Sequence, residues 1–158
     1  MKRINDILND PEYLLCVNRI RAAEADRIYC RHDPAHFLDV ARLARIIALE
    51  ENFDADKELL YAMGLLHDIG RHTEYENGTD HAIAGSKIAE KILARHGFTK
   101  TERETITEAI EDHRAGSAAS PLADILYRAD KLSRNCVLCD AAATCKRFQN
   151  GEKAFLLY

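Results

Sequence analysis

The stretch that decides the fold is Gly64-Leu65-Leu66-His67-Asp68-Ile69-Gly70-Arg71. An apolar run of helical character ends there on two adjacent side chains that can bind metal, His67 and Asp68, and a glycine follows soon after. One such pair is weak evidence for a metal site. The question is whether other polar side chains along the chain point inward and meet it.

Helix starts are marked by proline and by short polar side chains. Pro11, Pro34 and Pro121 each follow an aspartate or a serine, and proline suits the first helical turn because it lacks an N–H that this turn leaves unpaired. Asp54, Asp80 and the pair Thr101 and Glu104 predict three further starts. The predicted helices cover 11–29, 34–51, 55–69, 81–96, 102–114 and 121–134, with a seventh over 140–148.

No segment shows the period-two alternation that is typical of a strand. The predicted fold class is therefore all-α, a single compact bundle of about six to seven helices over residues 1–158. The polar connection from Arg71 to Asp80 is predicted to be a long loop beside the His67-Asp68 pair, where it could cover a pocket.

Helical periodicity places six polar side chains on or beside core-facing stripes, because residues four and seven apart share a helix face. They are His36, His67, Asp68, His81, His113 and Asp130. A buried polar group without a partner is costly, and shared metal ions would satisfy all six. The alternative is that each is a separately hydrogen-bonded core residue. His96, which precedes Gly97 at a helix end, is interpreted as structural, and His32 and His72 lie outside the predicted helices.

In this order, the six residues resemble the HD superfamily of metal-dependent phosphohydrolases, which is named for the adjacent His-Asp pair. The resemblance covers about residues 30–135 and includes Leu66-His67-Asp68-Ile69-Gly70, His81-Ala82-Ile83-Ala84-Gly85 and Ala129-Asp130. It implies a binuclear site, with His36, His67, Asp68 and Asp130 on one metal, His81 and His113 on the other, and Asp68 bridging them. Among small members, the chain is similar to bacterial enzymes that split diadenosine tetraphosphate symmetrically.

The implied activity is hydrolysis of a nucleotide-type phosphoester or phosphoanhydride by a hydroxide that bridges two metal ions. Two carboxylates beside two divalent ions leave a charge of about +2, which attracts phosphate. The ligands suit iron or manganese first, and cobalt, nickel or zinc next. Asp68, Arg71 and Lys131 are the expected catalytic residues, and Lys87 and Arg114 are further candidates for phosphate contact. Arg71 stands where a lysine is common in the family, and either side chain carries the positive charge that attracts phosphate.

Three cysteines in the C-terminal tail, residues 136–158, have the spacing Cys-x2-Cys-x5-Cys: Cys136, Cys139 and Cys145. Close pairs of this kind can hold zinc or an iron–sulfur cluster, but three are one short of the usual four. The alternative is that they are small apolar residues of an alanine-rich helix. Cys16 and Cys30 are isolated and are predicted to be buried apolar residues.

Composition limits the partners. The net charge is −4 and no basic block is present, so nucleic acid is not the expected partner. No apolar run suits a signal peptide or a membrane span, and a cytoplasmic protein is expected. We expect a small phosphorylated substrate, while the oligomeric state is left open. The alternative to an enzyme is a nucleotide-binding or signalling module without turnover, possessing redox sensitivity through its tail.

Overall fold

A computed structural model of the chain describes residues 1–113 and 120–158. These residues form eight α-helices and no β-strand, which confirms the all-α prediction. The helices are α1 Lys2–Leu8, α2 Pro11–Ala23, α3 Pro34–Glu50, α4 Lys57–Leu66, α5 Arg71–Asn77, α6 His81–Arg95, α7 Lys100–Asp112 and α8 Pro121–Leu132. In this described part of the chain, no helix is both long enough and apolar enough to cross a membrane.

The helix starts follow the chemistry of their capping residues. Asp10, Asp33, Asp80 and Ser120 accept hydrogen bonds from backbone N–H groups of the first turn, as predicted. Two predicted caps are wrong by two residues. Asp56 rather than Asp54 caps α4, and Thr99 with Glu102 forms the capping box of α7, in place of Thr101 and Glu104. Each stretch offers two capping residues of similar chemistry, and the capping pattern alone does not distinguish them.

The loop predicted over 71–80 is wrong, because its first seven residues form α5. A helix of two turns is too short to show a clear apolar period. It ends at Gly78, whose φ of +76° is the left-handed conformation that glycine adopts without strain. Helix α2 also ends at Ala23 rather than at 29, and the predicted end of α7 at 114 lies outside the described residues.

The C-terminal tail is built from short turns. Three single 3-10 turns, Cys136–Leu138, Ala142–Thr144 and Lys146–Phe148, replace the helix that was predicted over 140–148. None of the residues from 131 to 158 is buried. An isolated short helix without an apolar face to pack is unstable in water, so this segment has no core that would support one.

Close backbone contacts position the turn that carries His67 and Asp68. Helix α3 packs against α4 and α8, and α6 packs against α7. A Cβ on Gly64 would lie 2.5 Å from Cα of Ala41, so the backbones of α3 and α4 touch there. A Cβ on Gly70 would collide with the carbonyl oxygen of His81 and the backbone of Gly85. Gly85 therefore packs against Gly70 and brings α6 to the turn.

Candidate metal centre

The six inward-facing residues predicted from the sequence converge at one place in the bundle. Their relative exposure is at most 7%. His36 lies in the first turn of α3, His81 is the first residue of α6, and Asp130 lies near the end of α8. His67 and His113 cap the C-termini of α4 and α7. Most of the cluster is therefore built from helix ends, where side chains from several directions can reach one centre.

The ligand atoms fall into two groups that share Asp68. His36, His67, Asp68 and Asp130 form one group, and Asp68, His81 and His113 form the other, with the ligand atoms of each group within 4.8 Å of one another. Oδ2 of Asp68 lies 3.2 Å from Nε2 of His67, and Oδ1 lies 3.1 Å from Nε2 of His81. The two oxygens of one carboxylate thus serve different groups, and the arrangement can hold two ions with Asp68 between them.

The four imidazole rings of the cluster are oriented by contacts on the side that faces away from its centre. The Nδ1 atom of each ring lies against an oxygen, which fixes the ring and turns Nε2 toward the centre. The partners are Oγ of Ser133 for His36, the carbonyl of Gly64 for His67, the carboxylate of Glu74 for His81 and the carbonyl of Ile110 for His113. This is the orientation that metal-binding histidines adopt in proteins.

Four buried atoms at the centre have no hydrogen-bond partner among the described residues. They are Nε2 of His36, His67 and His81 and Oδ1 of Asp130. Leaving such atoms unsatisfied costs several kcal/mol unless something binds them. Imidazole nitrogens and carboxylate oxygens are ligands for divalent first-row metals, so the orphaned atoms and the chemistry of the set fit metal ions.

The electrostatics of the cluster keep both carboxylates ionised. Burial alone would raise the pKa of Asp68, but His67, His113 and His81 hold it well below its usual range. The pKa of Asp130 is lowered in the same way by His36 and His67. Burial lowers the pKa of His36 to about 4, with partial opposition from Asp130. The burial of His67 is outweighed by Asp68 and Asp130, which raise its pKa to about 9.

Two of the cations predicted to contact phosphate lie against the cluster. Arg71 donates from Nε to Oδ1 of Asp68 at 2.9 Å and from Nη1 to Glu74 at 3.2 Å. Lys131 donates from Nζ to Oδ2 of Asp130 at 2.7 Å, and its side chain is half exposed. Both therefore lie at the edge of the cluster. Arg114 lies outside the described residues.

One histidine of the centre was missed by the sequence reasoning. His32 is buried, its Nδ1 lies 2.5 Å from Oε1 of Glu24, and its Nε2 lies 3.6 Å from Oδ2 of Asp68. It precedes α3, where helical periodicity carries no information. The single available signal was its spacing of four residues from His36. His96, in contrast, pairs with Asp10 at 2.8 Å and takes no part in the cluster.

The cysteines do not form a closed ligand group by themselves. All five are free thiols. Cys16 is buried, as predicted, whereas Cys30 is only half-buried because it lies in the connection between α2 and α3 rather than in the core. In the described part of the chain, no set of three cysteine sulfurs lies within 4.8 Å.

The chain matches a family model and the sequences of several known proteins. The HD domain model matches residues 35–135. The chain is 42% identical over 158 residues to an uncharacterized protein of Clostridium beijerinckii, covering 100% of this chain and 99% of that one. It is 31% identical over 131 residues to ribonuclease Y of Mycoplasma mycoides, covering 82% of this chain but 28% of that protein.

A solved structure agrees with the sequence matches. The crystal structure of a predicted HD superfamily hydrolase from an uncultured Thermotogales bacterium is similar, with a TM-score of 0.62 and 29% identity, covering 91% of this chain and 79% of that one. The HD domain model spans well over half of the chain and contains all six residues of the cluster. On this evidence, the chain belongs to the HD domain family.

Proposed function

We propose that this protein is a metal-dependent phosphohydrolase that cleaves a phosphoester or phosphoanhydride bond in a small nucleotide-type substrate. The observation that carries the proposal is the convergence of six buried side chains in two ligand groups that share Asp68. Four of the ligand atoms in these side chains have no hydrogen-bond partner among the described residues. The similarity to a predicted HD superfamily hydrolase supports hydrolytic chemistry.

Each of the two ligand groups would hold one metal ion. His36, His67, Asp68 and Asp130 would hold one ion, and Asp68, His81 and His113 the other, with iron or manganese preferred for this mixture of nitrogen and oxygen ligands. Two divalent ions held there would supply Lewis acidity, positive charge and an activated water.

The surrounding side chains would bind and orient the substrate. Arg71 carries a planar guanidinium that can bind two phosphate oxygens at once, and it lies beside the centre through its contact with Asp68. Lys131, which contacts the carboxylate of Asp130, would contribute a positive charge from a more exposed position. Together they would hold a phosphoryl group over the cluster while the buried faces of the bundle exclude bulk water.

A second candidate substrate is RNA. The identity of 31% to ribonuclease Y over 82% of this chain favours a phosphodiester of RNA. Against it, the chain has a net charge of −4, whereas proteins that bind nucleic-acid backbones use clustered basic side chains. A small nucleotide, including a dinucleoside polyphosphate such as diadenosine tetraphosphate, remains the first choice.

The proposal is tested by a substrate screen with protein purified without chelator and supplied with Mn²⁺ or, under anaerobic conditions, Fe²⁺. The panel contains mononucleotides, dinucleoside polyphosphates, cyclic dinucleotides and a short single-stranded RNA. We expect about two manganese or iron ions per chain and turnover of one nucleotide class. Tight binding of a nucleotide without turnover of any compound would instead identify a binding or signalling module.

A matched pair of aspartate variants separates chemistry from folding. Asp68→Ala removes the carboxylate shared by both groups and is expected to abolish hydrolysis and the retention of metal ions by these two groups. Asp124→Ala removes a half-exposed carboxylate of α8 that pairs with Arg128, and it should leave both unchanged. Normal turnover by Asp68→Ala would rule out the proposed mechanism.

A further inference from the structure

We infer that Cys30, Cys136, Cys139 and Cys145 form a four-thiolate zinc site that fastens the C-terminal tail to the segment before α3. The sequence identified three of these cysteines but no fourth ligand. In the structure, Cys30, which is more than a hundred residues distant in the chain, lines one cavity of about 340 Å³ together with Cys136 and Cys139. Four cysteines complete the ligand set that structural zinc sites use.

The surroundings of Cys136 include the other three thiols. The pKa of the Cys136 thiol is raised, first by burial and then by its neighbours Cys30, Cys139 and Cys145, with Arg147 opposing. All three other cysteines of the proposed site are therefore close enough to act on Cys136. Zinc held by four thiolates carries a charge of about −2, and Arg147, whose Nη1 lies 3.8 Å from Sγ of Cys136, supplies a compensating cation.

The backbone around the cysteines is already arranged for a joint site. Tyr29 donates its hydroxyl to the carbonyl of Thr144 at 3.3 Å, and Arg134 donates to the carbonyl of Arg31 at 2.8 Å. These bonds tie the residues that flank Cys30 to those that flank Cys136 and Cys145. A 3-10 turn over Cys136–Leu138 folds the Cys-x-x-Cys pair back on itself, with the N–H of Cys139 directed to the carbonyl of Cys136.

The tail needs such a fastening because it has no core. No residue of the tail, 136–158, is buried, and its regular structure consists of isolated 3-10 turns. Small protein units that bury too little apolar surface commonly depend on a metal or a disulfide. Four sulfurs bound to one zinc ion lie roughly 3.8 Å from one another. In the described part of the chain, no three cysteine sulfurs are all within 4.8 Å of one another, so the sulfurs do not yet surround a common centre. Binding therefore requires the turns of the tail to close on Cys30.

The site adjoins the metal centre without sharing ligands with it. Cys30 is two residues before His32, and the cavity that it lines also reaches His36 and Ser133. Closing the tail on Cys30 would therefore hold the segment that positions His32. The proposal does not depend on hydrolysis, since the two sites use different ligand types.

Cobalt substitution tests the site with a signal that the histidine and aspartate cluster does not give. Thiolate ligands produce charge-transfer absorption with Co²⁺, whereas imidazole and carboxylate ligands do not. We expect this absorption in the wild-type protein with Co²⁺, its displacement by Zn²⁺, and its loss in Cys30→Ser, Cys139→Ser and Cys145→Ser. Zinc analysis of the Asp68→Ala variant, which lacks the shared ligand of the other centre, should still give about one ion per chain.

Cys16→Ala is the matched control, because Cys16 is the one cysteine that is buried in the core. It should retain the absorption. Far-UV circular dichroism should be unchanged in the serine variants, since none of the three altered side chains is part of the core. An unaltered spectrum in Cys30→Ser would overturn the proposal, as would the absence of thiolate absorption in the wild type. Visible absorption with bound iron and sulfide would identify an iron–sulfur cluster and exclude the zinc site.

Trypsin provides a second measurement, because Lys146, Arg147 and Lys153 of the tail are exposed cleavage points. With zinc bound, the wild-type tail should resist cleavage, and EDTA should remove the protection. Cys30→Ser should be cleaved at the rate of the EDTA-treated protein whether or not zinc is present. Equal rates in all samples would contradict a metal that fastens the tail.

Discussion

The Nε2 atom of His32 lies 3.6 Å from Oδ2 of Asp68, while Nδ1 of the same ring lies 2.5 Å from Oε1 of Glu24. Glu24 is buried at the end of α2 and also accepts hydrogen bonds from the backbone N–H of His32 and the hydroxyl of Tyr75. Burial would raise the pKa of Glu24, but the bonds from His32 and Tyr75 lower it to about 2. An ionised carboxylate therefore holds the ring and aims it at the carboxylate shared by the two ligand groups.

We expect His32 to act as a positioning residue for the centre. His32→Ala should lower the rate of hydrolysis roughly 10- to 100-fold, the range found for residues that support metal ligands, because the ring no longer restrains Asp68. Metal content should stay unchanged, since His32 belongs to neither ligand group. The measurements are the initial rate on the substrate found by screening and metal analysis of the same preparation.

The control for this prediction is His96→Ala, which also breaks a histidine–aspartate pair but outside the cluster. It should reduce stability without changing the rate per folded molecule. Loss of one bound metal ion in His32→Ala would contradict a positioning role and would make His32 a ligand.

The glycines beside the His67-Asp68 turn are expected to tolerate no side chain. Gly64→Ala should lower the free energy of unfolding by about 1–3 kcal/mol, because its Cβ would lie 2.5 Å from Cα of Ala41 and the two backbones cannot easily separate. Gly85→Ala, whose Cβ would lie 3.3 Å from the backbone nitrogen of Gly70, should cost less. Urea denaturation of both variants measures the difference, and an equal effect would contradict this account of the packing.

The sequence was sufficient to predict the all-α fold and to select the six residues that converge. Helical periodicity identified them because a buried polar residue stands out among the apolar residues of its stripe. His36, for example, shares its stripe with Val40, Leu43 and Ile47. The same argument cannot apply where no helix exists. His32 and Cys30 lie in the connection before α3, and their roles depend on partners that are distant in the chain.

The errors in local structure have a related cause. Helix α5 was missed because two turns show no clear period, and a helix was expected over 140–148 because alanine-rich sequence favours helix by propensity. Propensity without a buried face does not stabilise a short helix. In each case, packing against residues distant in the chain determines whether the helix forms, and these contacts cannot be read from a single sequence.

Arg71 is expected to contribute to substrate binding through its planar, two-pronged guanidinium. Arg71→Lys should raise KM for the phosphorylated substrate by about tenfold, because an ammonium group cannot contact phosphate in the same bidentate geometry. Metal content should be unaffected, since Arg71 contacts Asp68 without being a ligand. Steady-state kinetics alongside metal analysis makes this measurement.

Lys131→Ala is the comparison for Arg71. Lys131 contacts Asp130, and its side chain is 49% exposed. A more exposed charge is screened by water, so its removal should raise KM less than the change at Arg71. If Arg71→Lys altered neither KM nor kcat while Lys131→Ala raised KM strongly, the assignment of the main phosphate contact to Arg71 would be wrong.

Asp10 is expected to make stability depend on pH through its pairing with the end of α6. Its carboxylate caps α2 and accepts hydrogen bonds from Arg95 at 2.9 and 3.0 Å and from His96 at 2.8 Å. Burial would raise its pKa, but these partners hold the pKa well below the ordinary 3.8. The folded state therefore binds this proton less readily than the unfolded state, so the stabilisation is complete well above pH 3.8 and is lost as the pH falls below that value.

Asp10→Asn keeps a capping side chain but removes the charge, and it should lower the free energy of unfolding by about 1–3 kcal/mol at pH 7. Urea denaturation of both proteins between pH 7 and pH 3 should show this difference narrowing at the acidic end. A difference that is independent of pH would mean that the charge of Asp10 does not contribute to the stability of the fold.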